Sequence, residues 1–419
     1  MKKVLWIVNS ALGPVGEKLY GRREQGVWMD VLLDGFKHSK EFSIFVVTTG
    51  YTKEIMELKE EGVVYYVLPS TPPNIYDENR NENIKAWKWL IDEVKPDLIQ
   101  IWGSEFAHGL CALRYAGKIP SIVYMQGYMR SIAKYYLAGL TEREIVKNIT
   151  FRDLVKRDSI IQQQKKYEKA AKREEEILKL SGRIISENEW CALNAKAIIP
   201  EIQIFKCPLS INKVFASHVW NLNGIEKHSI ICTASGYPLK GLHMVISAVA
   251  LLKKYYNDVK LYIPGPKVVS ESTLEWKIRK RGYTKYIEQL IRKLGVESNV
   301  VWLGEMQQED LACLYTKMNV FVLCSAIENH SSSLKEAMMV GVPSIASYVG
   351  GVPEYVNDGL EALLYRYEEY EILSETIKRV FEDDELACSL SSNGRNKMLK
   401  MHNGEDIQNI MTGIYNKLL

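Results

Sequence analysis

The residues best suited to chemistry lie in one stretch of the chain, Ser325 to Pro343. An apolar run ends just before it at Cys324, and a polar loop follows. Three consecutive serines, Ser331 to Ser333, stand where a helix should begin, and Gly341 with Pro343 is typical of a helix end. The first backbone N–H groups of such a helix carry partial positive charge, so this stretch predicts a site for phosphate.

Two glutamates flank the predicted phosphate site, Glu328 in the loop and Glu336 in the first turns of the helix. A pair of glutamates eight positions apart is by itself usually a solvated surface. Here the strand end, the helix cap and the closing glycine accompany the pair. Because carboxylates repel phosphate and accept hydrogen bonds from hydroxyls, we expect both to bind sugar or ribose rings.

A second stretch, Thr233 to Gly241, lies at the first strand-to-helix turn of the C-terminal half. Gly236 permits close backbone approach there, and Lys240 has the length and charge to reach a diphosphate. Taken alone, a Lys-Gly pair is more often a surface turn. Three further turns are expected on the same side and also admit a purely structural role, namely those at Gly265, Gly304 to Met306 and Gly350 to Glu354.

The elements that must position these residues are strands alternating with amphipathic helices. Continuous rather than alternating apolar character predicts strands covered on both faces, as in a parallel sheet. In the first half the predicted strands are Val4 to Val8, Phe42 to Thr48, Val63 to Leu68, Leu98 to Trp102, Ser121 to Met125 and Arg183 to Ser186. A second strand–helix series begins at Ser229 and runs to the C-terminus.

This alternation predicts an α/β fold with two doubly wound, Rossmann-like domains that face an interdomain cleft. We expect an N-terminal domain over residues 1–205, a linker over 206–227 and a C-terminal domain over 228–399. The last helix, about 400–419, is expected to pack back on the first domain. Ligands of such sheets bind beyond the carboxyl ends of the strands.

The C-terminal motifs resemble the family-4 retaining glycosyltransferases of GT-B fold. The resemblance rests on Lys240-Gly241, Gly265, Glu328 and Glu336 with seven residues between them, Ala337-Met338, Gly341-Val-Pro343, Ser347, Gly350-Gly351 and Pro353-Glu354. It covers the whole C-terminal domain. In Ile101 to Phe106 and Gln126-Gly127, the first domain is similar to bacterial exopolysaccharide or capsule members.

The resemblance implies a nucleotide-sugar site in the C-terminal domain. Glu328 would hold the donor sugar hydroxyls, Glu336 the ribose, and Lys240 the departing diphosphate; Lys240 and Glu328 would be the catalytic pair. The donor-binding set it implies is Ser235, Gly236, Lys240, Gly265, Gly304, Met306, Glu328, Asn329, His330, Ser331, Ser332, Ser333 and Glu336.

Two positions depart from the family pattern. Ser235 stands where many members have an arginine, and Gln126 stands where many have a histidine near the acceptor. Either Lys240 would then supply most of the positive charge, or Arg130 or another basic group would compensate. The acceptor-side candidates are Ser104, Glu105, Gln126, Tyr128 and Arg130. A helix cap is an equal alternative for Glu105, and ordinary structural roles are favoured for His108 and His330.

The composition of the chain, above all its net charge, limits the classes of binding partner that we expect. The chain has 419 residues and a net charge of +3, with 30 basic against 26 acidic residues among the first 200. This excess is too small for a nucleic-acid binder and suits loose attraction to an anionic membrane. The stretch 141–180 is expected to form solvated helices, or alternatively a basic face toward lipid. Without an Asp-x-Asp motif we expect no metal and no cofactor other than the nucleotide-sugar substrate.

Seven scattered cysteines without a C-x-x-C pair predict buried free thiols, and no apolar run reaches membrane-spanning length. We therefore expect a cytoplasmic protein, peripheral at the inner face of the membrane at most. The predicted function is retaining transfer of a sugar (EC 2.4 class) from a nucleotide-diphosphate donor to a hydroxyl of a saccharide, free or lipid-linked, in surface polysaccharide synthesis. The alternatives are a sugar-nucleotide epimerase of the same fold and a non-catalytic sugar-nucleotide-binding partner.

Overall fold

The computed structural model describes residues 1–21, 28–69, 81–234, 236–265 and 279–419. The chain divides into two compact units. Unit 1 comprises Met1–Met129, Lys169–Asn212 and His402–Leu419, and unit 2 comprises Arg130–Glu168 and Lys213–Met401.

Each unit is built on one sheet. Unit 1 has eight strands in the order β3-β4-β2-β1-β5-β6-β7-β8, all parallel except the antiparallel edge strand β3. They are β1 (Lys2–Ile7), β2 (Phe42–Gly50), β3 (Met56–Glu60), β4 (Val63–Pro69), β5 (Leu98–Trp102), β6 (Ser121–Tyr124), β7 (Arg183–Ser186) and β8 (Gln203–Lys206). Unit 2 has six parallel strands in the order β11-β10-β9-β12-β13-β14. They are β9 (Glu226–Ile231), β10 (Lys260–Pro264), β11 (Val300–Gly304), β12 (Met318–Leu323), β13 (Ser344–Ser347) and β14 (Leu363–Tyr365).

Helices occupy most of the connections between strands. Those of the first half are α1 (Pro14–Tyr20), α2 (Trp28–Lys37), α3 (Asn81–Val94), α4 (His108–Tyr115), α5 (Met129–Tyr135), α6 (Glu142–Lys147), α7 (Phe151–Lys156), α8 (Ile160–Ser181) and α9 (Glu189–Ile198). Those of the second half are α10 (Val214–Ser217), α11 (Leu242–Leu252), α12 (Gly282–Leu294), α13 (Gln308–Tyr315), α14 (Ser332–Val340), α15 (Val352–Tyr355), α16 (Tyr370–Glu382), α17 (Asp384–Met401) and α18 (Gly404–Leu418).

Strand β1 shows why the apolar runs are continuous. Val4 and Trp6 belong to the hydrophobic core on one face of the sheet of unit 1, and Leu5 and Ile7 belong to the core on the other face. All four side chains are buried. Because successive residues of a strand point to opposite faces, a strand covered on both sides has no polar alternation.

The C-terminal helix α18 completes the core of unit 1. Ile407, Met411 and Tyr415 are buried there, and the indole N–H of Trp6 donates to the Tyr415 hydroxyl at 3.0 Å. The second strand–helix series therefore ends in the same unit as the first strand of the chain.

The segment Arg130–Glu168 differs from the sequence prediction, which assigned it to the N-terminal domain. The structure places it in unit 2. The Thr150 hydroxyl donates to the carbonyl of Lys280 at 2.8 Å, and Nε2 of His243 is 3.0 Å from the carbonyl of Ala138. His243 is buried, and its burial lowers its pKa to about 4, so the imidazole is neutral and Nε2–H donates this bond.

Two further details correct the sequence prediction. Strands β3, β8 and β14 were not predicted. Only five cysteines are buried, because Cys313 and Cys388 are exposed; all seven thiols are free.

Among the described helices none is long and apolar enough to cross a bilayer. In the same residues no three His, Cys, Asp or Glu side chains cluster as metal ligands would.

Candidate functional site

The candidate site lies where the strand order of unit 2 changes direction. The chain builds β9, β10 and β11 toward one edge and then returns to the other side of β9 with β12. Doubly wound sheets bind their ligands beside such a reversal, at the carboxyl ends of the strands, and the loops that follow β9 and β12 lie there. The first loop carries Lys240 in the short 3₁₀ turn Pro238–Lys240, and the second carries Glu328.

Lys240 and Glu328 form an ion pair, with Nζ 2.6 Å from Oε1. The side chains are 30% and 10% exposed. Burial of the ammonium lowers the pKa of Lys240, but the neighbouring Glu328 carboxylate outweighs this and holds the pKa above its ordinary value. Lys240 is therefore a fixed positive charge at any physiological pH.

The two loops are locked together through their backbones. The amide of Ala326 donates to the carbonyl of Leu239 at 2.8 Å, and the Cys324 thiol donates to the carbonyl of Lys240 at 3.2 Å. Gly241 has a left-handed φ of 69°, and a Cβ atom at this position would lie 1.6 Å from the carbonyl oxygen of Cys324. Only glycine permits this approach, which brings Lys240 to Glu328.

A third loop holds Glu328 from the other direction. The amide of Gly351 donates to the Glu328 carbonyl at 3.1 Å. Gly350 has a φ of 53°, and a Cβ atom there would lie 1.8 Å from the same carbonyl oxygen. The Gly350-Gly351 turn named in the sequence analysis is thus part of the support for Glu328.

Helix α14 begins next to Glu328. Ser331 is its N-cap, and the Ser331 hydroxyl accepts a hydrogen bond from the amide of Leu334 at 3.3 Å. The amide of Ser331 itself donates to the Tyr355 hydroxyl at 3.4 Å. The amide of Ser331 therefore already has an acceptor inside unit 2. The amides of Ser332 and Ser333, in the first turn, are those that helix geometry leaves without an intrahelical acceptor.

Glu336 lies one turn further along α14, and burial raises the pKa of its carboxyl group to about 7. The charge of Glu336 also acts on the buried Tyr315 of α13, whose pKa is raised first by burial and then by this charge. A carboxyl group in such surroundings gains from hydroxyl donors, since they stabilise its charged form.

The remaining predicted donor residues fall into three groups. The amide of Gly265 donates to the carbonyl of Gly304 at 2.7 Å, so the turns after β10 and β11 meet, and Met306 follows directly. Asn329 is buried and His330 is partly buried in the loop that precedes α14. Gly236 lines a small pocket with Tyr237 and Arg281, whereas Ser235 lies outside the described residues.

Two predicted acceptor-side residues are occupied inside unit 1. The Ser104 hydroxyl donates to the buried Glu174 carboxylate at 2.5 Å, and the other oxygen of Glu174 accepts from the amide of Met129 at 3.0 Å. The hydroxyl of Tyr128 donates to the carbonyl of Asn194 at 3.2 Å. Both hydroxyl protons are therefore used inside unit 1, and a role of Ser104 and Tyr128 at the acceptor stays a prediction.

Glu105 and Gln126 do lie together at the carboxyl ends of β5 and β6. A Cβ atom built on Gly103, whose φ is 90°, would lie 2.0 Å from Glu105 Oε2 and 3.2 Å from Gln126 Oε1. Glu105 Oε2 is buried and accepts no hydrogen bond within the described ranges, and burial raises the pKa of this carboxyl to about 7. Arg130, the fifth acceptor-side candidate, belongs to unit 2 and is exposed.

Several residues at the site were missed from sequence. Lys335 is buried behind the serine cap, with Nζ 5.0 Å from the centre of the Tyr355 ring. The sulfur atoms of Cys232 and Cys324 lie 3.4 Å apart, and the Cys324 thiol is the group that contacts the Lys240 carbonyl. The Ser-Ser-Ser-Leu-Lys run offered a signal for Lys335, since a lysine in the first turn of a phosphate-binding helix adds charge. No sequence signal pairs the two cysteines.

Comparisons with known proteins find similar sequences and similar folds. Residues 221–397 match the family model "Glycosyl transferases group 1". A curated relative, MMP alpha-(1->4)-mannosyltransferase of Mycolicibacterium hassiacum, is 29% identical over 226 residues, which are 53% of this chain and 50% of the relative. The chain thus spans half the length of that relative.

Two solved structures share the architecture over the full chain. Sucrose-phosphate synthase of Thermosynechococcus elongatus has a TM-score of 0.73 at 18% identity, covering 100% of this chain and 99% of its own. HepE of Anabaena in complex with UDP and glucose has a TM-score of 0.67 at 14% identity, covering 100% of both chains. The predicted fold class is confirmed, since both units are Rossmann-like and the chain shares the GT-B architecture of these solved structures.

Proposed function

We propose that the protein is a glycosyltransferase that moves a sugar from a nucleotide-diphosphate donor to a hydroxyl of a saccharide, with retention of configuration. The observation that carries the proposal is the Lys240–Glu328 pair at the strand-order reversal of unit 2, beside the start of α14. A cation and a helix N-terminus side by side suit the diphosphate of a nucleotide sugar, and the adjacent carboxylate suits the hydroxyls of its sugar.

The donor diphosphate would bind to Lys240 and to the amides of Ser332 and Ser333. The helix N-terminus and the lysine both favour negative charge there. Glu328, released from Lys240 by the phosphate, would accept hydrogen bonds from the sugar hydroxyls, and Glu336 would accept them from the ribose. Gly265, Gly304 and Met306 would border the base.

In the proposed reaction the bond between the anomeric carbon and the diphosphate oxygen breaks, and the acceptor oxygen bonds to the same face of that carbon. The acceptor hydroxyl gives its proton to the departing phosphate oxygen, so no histidine base is required at Gln126. Negative charge grows on the diphosphate as the bond breaks. Lys240 and the helix amides are already in place to stabilise it, which is the main contribution we assign to the protein.

The acceptor would bind to unit 1. Glu105 and Gln126 are the acceptor-side candidates whose polar groups share one position at the strand ends, and a carboxyl group there suits a saccharide hydroxyl. We propose a growing surface polysaccharide, free or lipid-linked, as the acceptor, on the basis of the sequence similarity at Ile101 to Phe106. A lipid-linked acceptor would bring the protein to the membrane surface.

The test is to incubate the protein with a panel of nucleotide sugars and to measure nucleoside diphosphate release with and without saccharide acceptors. Acceptor-dependent release supports transfer. Interconversion of the sugar without release would instead support an epimerase, and binding without turnover across the panel would support a non-catalytic binding partner. Glu336→Ala should weaken nucleoside diphosphate binding, and unchanged binding would exclude the ribose assignment.

A further inference from the structure

Helices α6 and α7 expose an unusual concentration of large apolar side chains. Val146, Phe151, Leu154 and Val155 are 55%, 71%, 65% and 62% exposed. The last three stand at positions i, i+3 and i+4 of α7, which puts them on one face of that helix. Four such side chains within ten residues are a patch rather than the scattered exposure that any protein surface shows.

Basic residues stand next to these apolar residues in the sequence. Arg143, Lys147, Lys156 and Arg157 are all exposed. Together with the four apolar residues they form what we call the basic–apolar patch. Glu142 is the one exposed acidic residue on α6 and α7, so the surface is positive overall.

The other acidic residues of this region are used inside the fold. Glu144 and Asp153 each close a capping box, with Thr141 and Thr150 respectively, and their carboxylates accept from the backbone amides of those threonines. Asp158 pairs with Arg152 at 3.1 Å and with Lys166 at 2.9 Å. The carboxylates of Glu144, Asp153 and Asp158 are thus bound within the fold, whereas the basic side chains of the patch are exposed to solvent.

The charge of the chain is concentrated in the same segment. Residues 130–168 contain nine Lys and Arg against five Asp and Glu, whereas residues 1–129 contain 15 against 16. The positive excess of the first 200 residues therefore lies in the segment that carries the patch. The same segment packs on unit 2 through Thr150 and His243, so the patch is carried by the unit that holds Lys240 and Glu328.

We propose that the basic–apolar patch docks the protein on an anionic lipid surface. The lysine and arginine side chains would bind lipid phosphates, and Phe151, Leu154 and Val155 would enter the boundary between headgroups and acyl chains. This combination of a positive rim and short apolar side chains is what membrane-surface helices use. The proposal specifies the surface for the membrane contact named under Proposed function, but it does not depend on catalysis.

The test is sedimentation of the full chain with vesicles of phosphatidylcholine alone and of phosphatidylcholine with phosphatidylglycerol. We expect binding only to the anionic vesicles, weakened by added salt. Each of Lys147→Gln and Lys156→Gln should weaken binding about fivefold, the usual effect of one basic residue near such a surface. Phe151→Ser with Leu154→Ser should weaken it about tenfold or more, since two large apolar groups no longer leave water.

Matched control variants change equally exposed residues elsewhere. Lys53→Gln with Lys196→Gln removes two exposed lysines, and Leu193→Ser with Val219→Ser removes two apolar side chains that are 57% and 60% exposed. These controls should bind like the wild-type protein. Circular dichroism checks that every variant is folded.

Absence of binding to anionic vesicles, or equal binding by patch and control variants, would overturn the proposal. So would a wild-type oligomer that the patch variants convert to monomer, because the patch would then be an interface between copies of the chain. Sugar transfer to a soluble acceptor should persist in the patch variants. Loss of vesicle binding and failure of the proposed activity are therefore separate results.

Discussion

Replacement of Lys240 by alanine should lower stability and turnover by two separable effects. The substitution removes the cation 2.6 Å from Glu328 and leaves a carboxylate that is only 10% exposed without its partner. Breaking a buried ion pair in this way costs about 3–5 kcal/mol. Since the Lys240 side chain is 30% exposed, we expect the lower end, about 3 kcal/mol, or a fall in Tm of roughly 6–12 °C.

The loss of turnover has a different origin. Without Lys240 the departing diphosphate loses one preorganised charge, and removal of one such group usually costs about 10²–10³ in kcat. Lys240→Ala combined with Glu328→Gln removes both charges. The double variant should regain most of the lost stability, because no unpaired charge remains, but it should not regain turnover.

A second ion pair in unit 2 provides a matched control. Lys397 lies 2.9 Å from Glu361, and these side chains are 27% and 8% exposed, almost as in the Lys240–Glu328 pair. Lys397→Ala should cost similar stability and leave turnover of the folded protein unchanged. Thermal unfolding and nucleoside diphosphate release measure the two effects. If Lys240→Ala kept turnover within about tenfold of wild type, or lost no more than Lys397→Ala, our assignment of Lys240 would be refuted.

Three further predictions concern single side chains. Burial raises the pKa of Glu336 from 4.5 to about 7, so between these pH values the folded state holds a proton that the unfolded state has lost. The free energy of unfolding should therefore fall as pH rises through this window, by at most about 3 kcal/mol. Denaturant unfolding of Glu336→Gln should show a weaker dependence of stability on pH, and an unchanged dependence would contradict the assignment. Glu105→Gln should raise the KM for the saccharide acceptor and leave the donor KM unchanged, and steady-state kinetics with an equal effect on both would contradict the acceptor role. Tyr415→Phe leaves the buried indole N–H of Trp6 unpaired and should lower the free energy of unfolding by about 1–2 kcal/mol. Tyr255→Phe, at a residue that is 61% exposed, should change it very little. Equal effects of the two substitutions in denaturant unfolding would contradict the packing of α18.

The strands and the loops around Lys240 and Glu328 were predictable because local sequence carries their signals. Continuous apolar runs such as Val4 to Val8 report burial on both faces of a sheet. Gly241 and Gly350 mark loops where backbones must approach closely, and the serines before α14 mark a helix start.

Other features depend on partners far away in the chain. The hydroxyls of Ser104 and Tyr128 donate to the Glu174 carboxylate and to the Asn194 carbonyl, which lie 70 and 66 positions further on. The edge strand β3, Met56–Glu60, alternates polar and apolar residues and has none of the continuous apolar character of the central strands.

The assignment of residues 130–168 to unit 2 could not be predicted from the sequence either. Two of the hydrogen bonds that hold this segment, from His243 and from Thr150, are accepted by backbone carbonyls, those of Ala138 and Lys280. Every residue type has such a carbonyl, so the sequence contains no sign of these hydrogen bonds.

The central claim is that unit 2 binds a nucleotide sugar and that the protein transfers its sugar with retention. The most direct measurement incubates the wild-type protein and Lys240→Ala with a panel of nucleotide sugars and saccharide acceptors, follows nucleoside diphosphate release and determines the anomeric configuration of the product by NMR. We predict acceptor-dependent release by the wild-type protein, a product with the anomeric configuration of the donor, and release at least about a hundredfold slower in the variant. Tight binding of a nucleotide sugar without turnover, or a product of inverted configuration, would contradict the account.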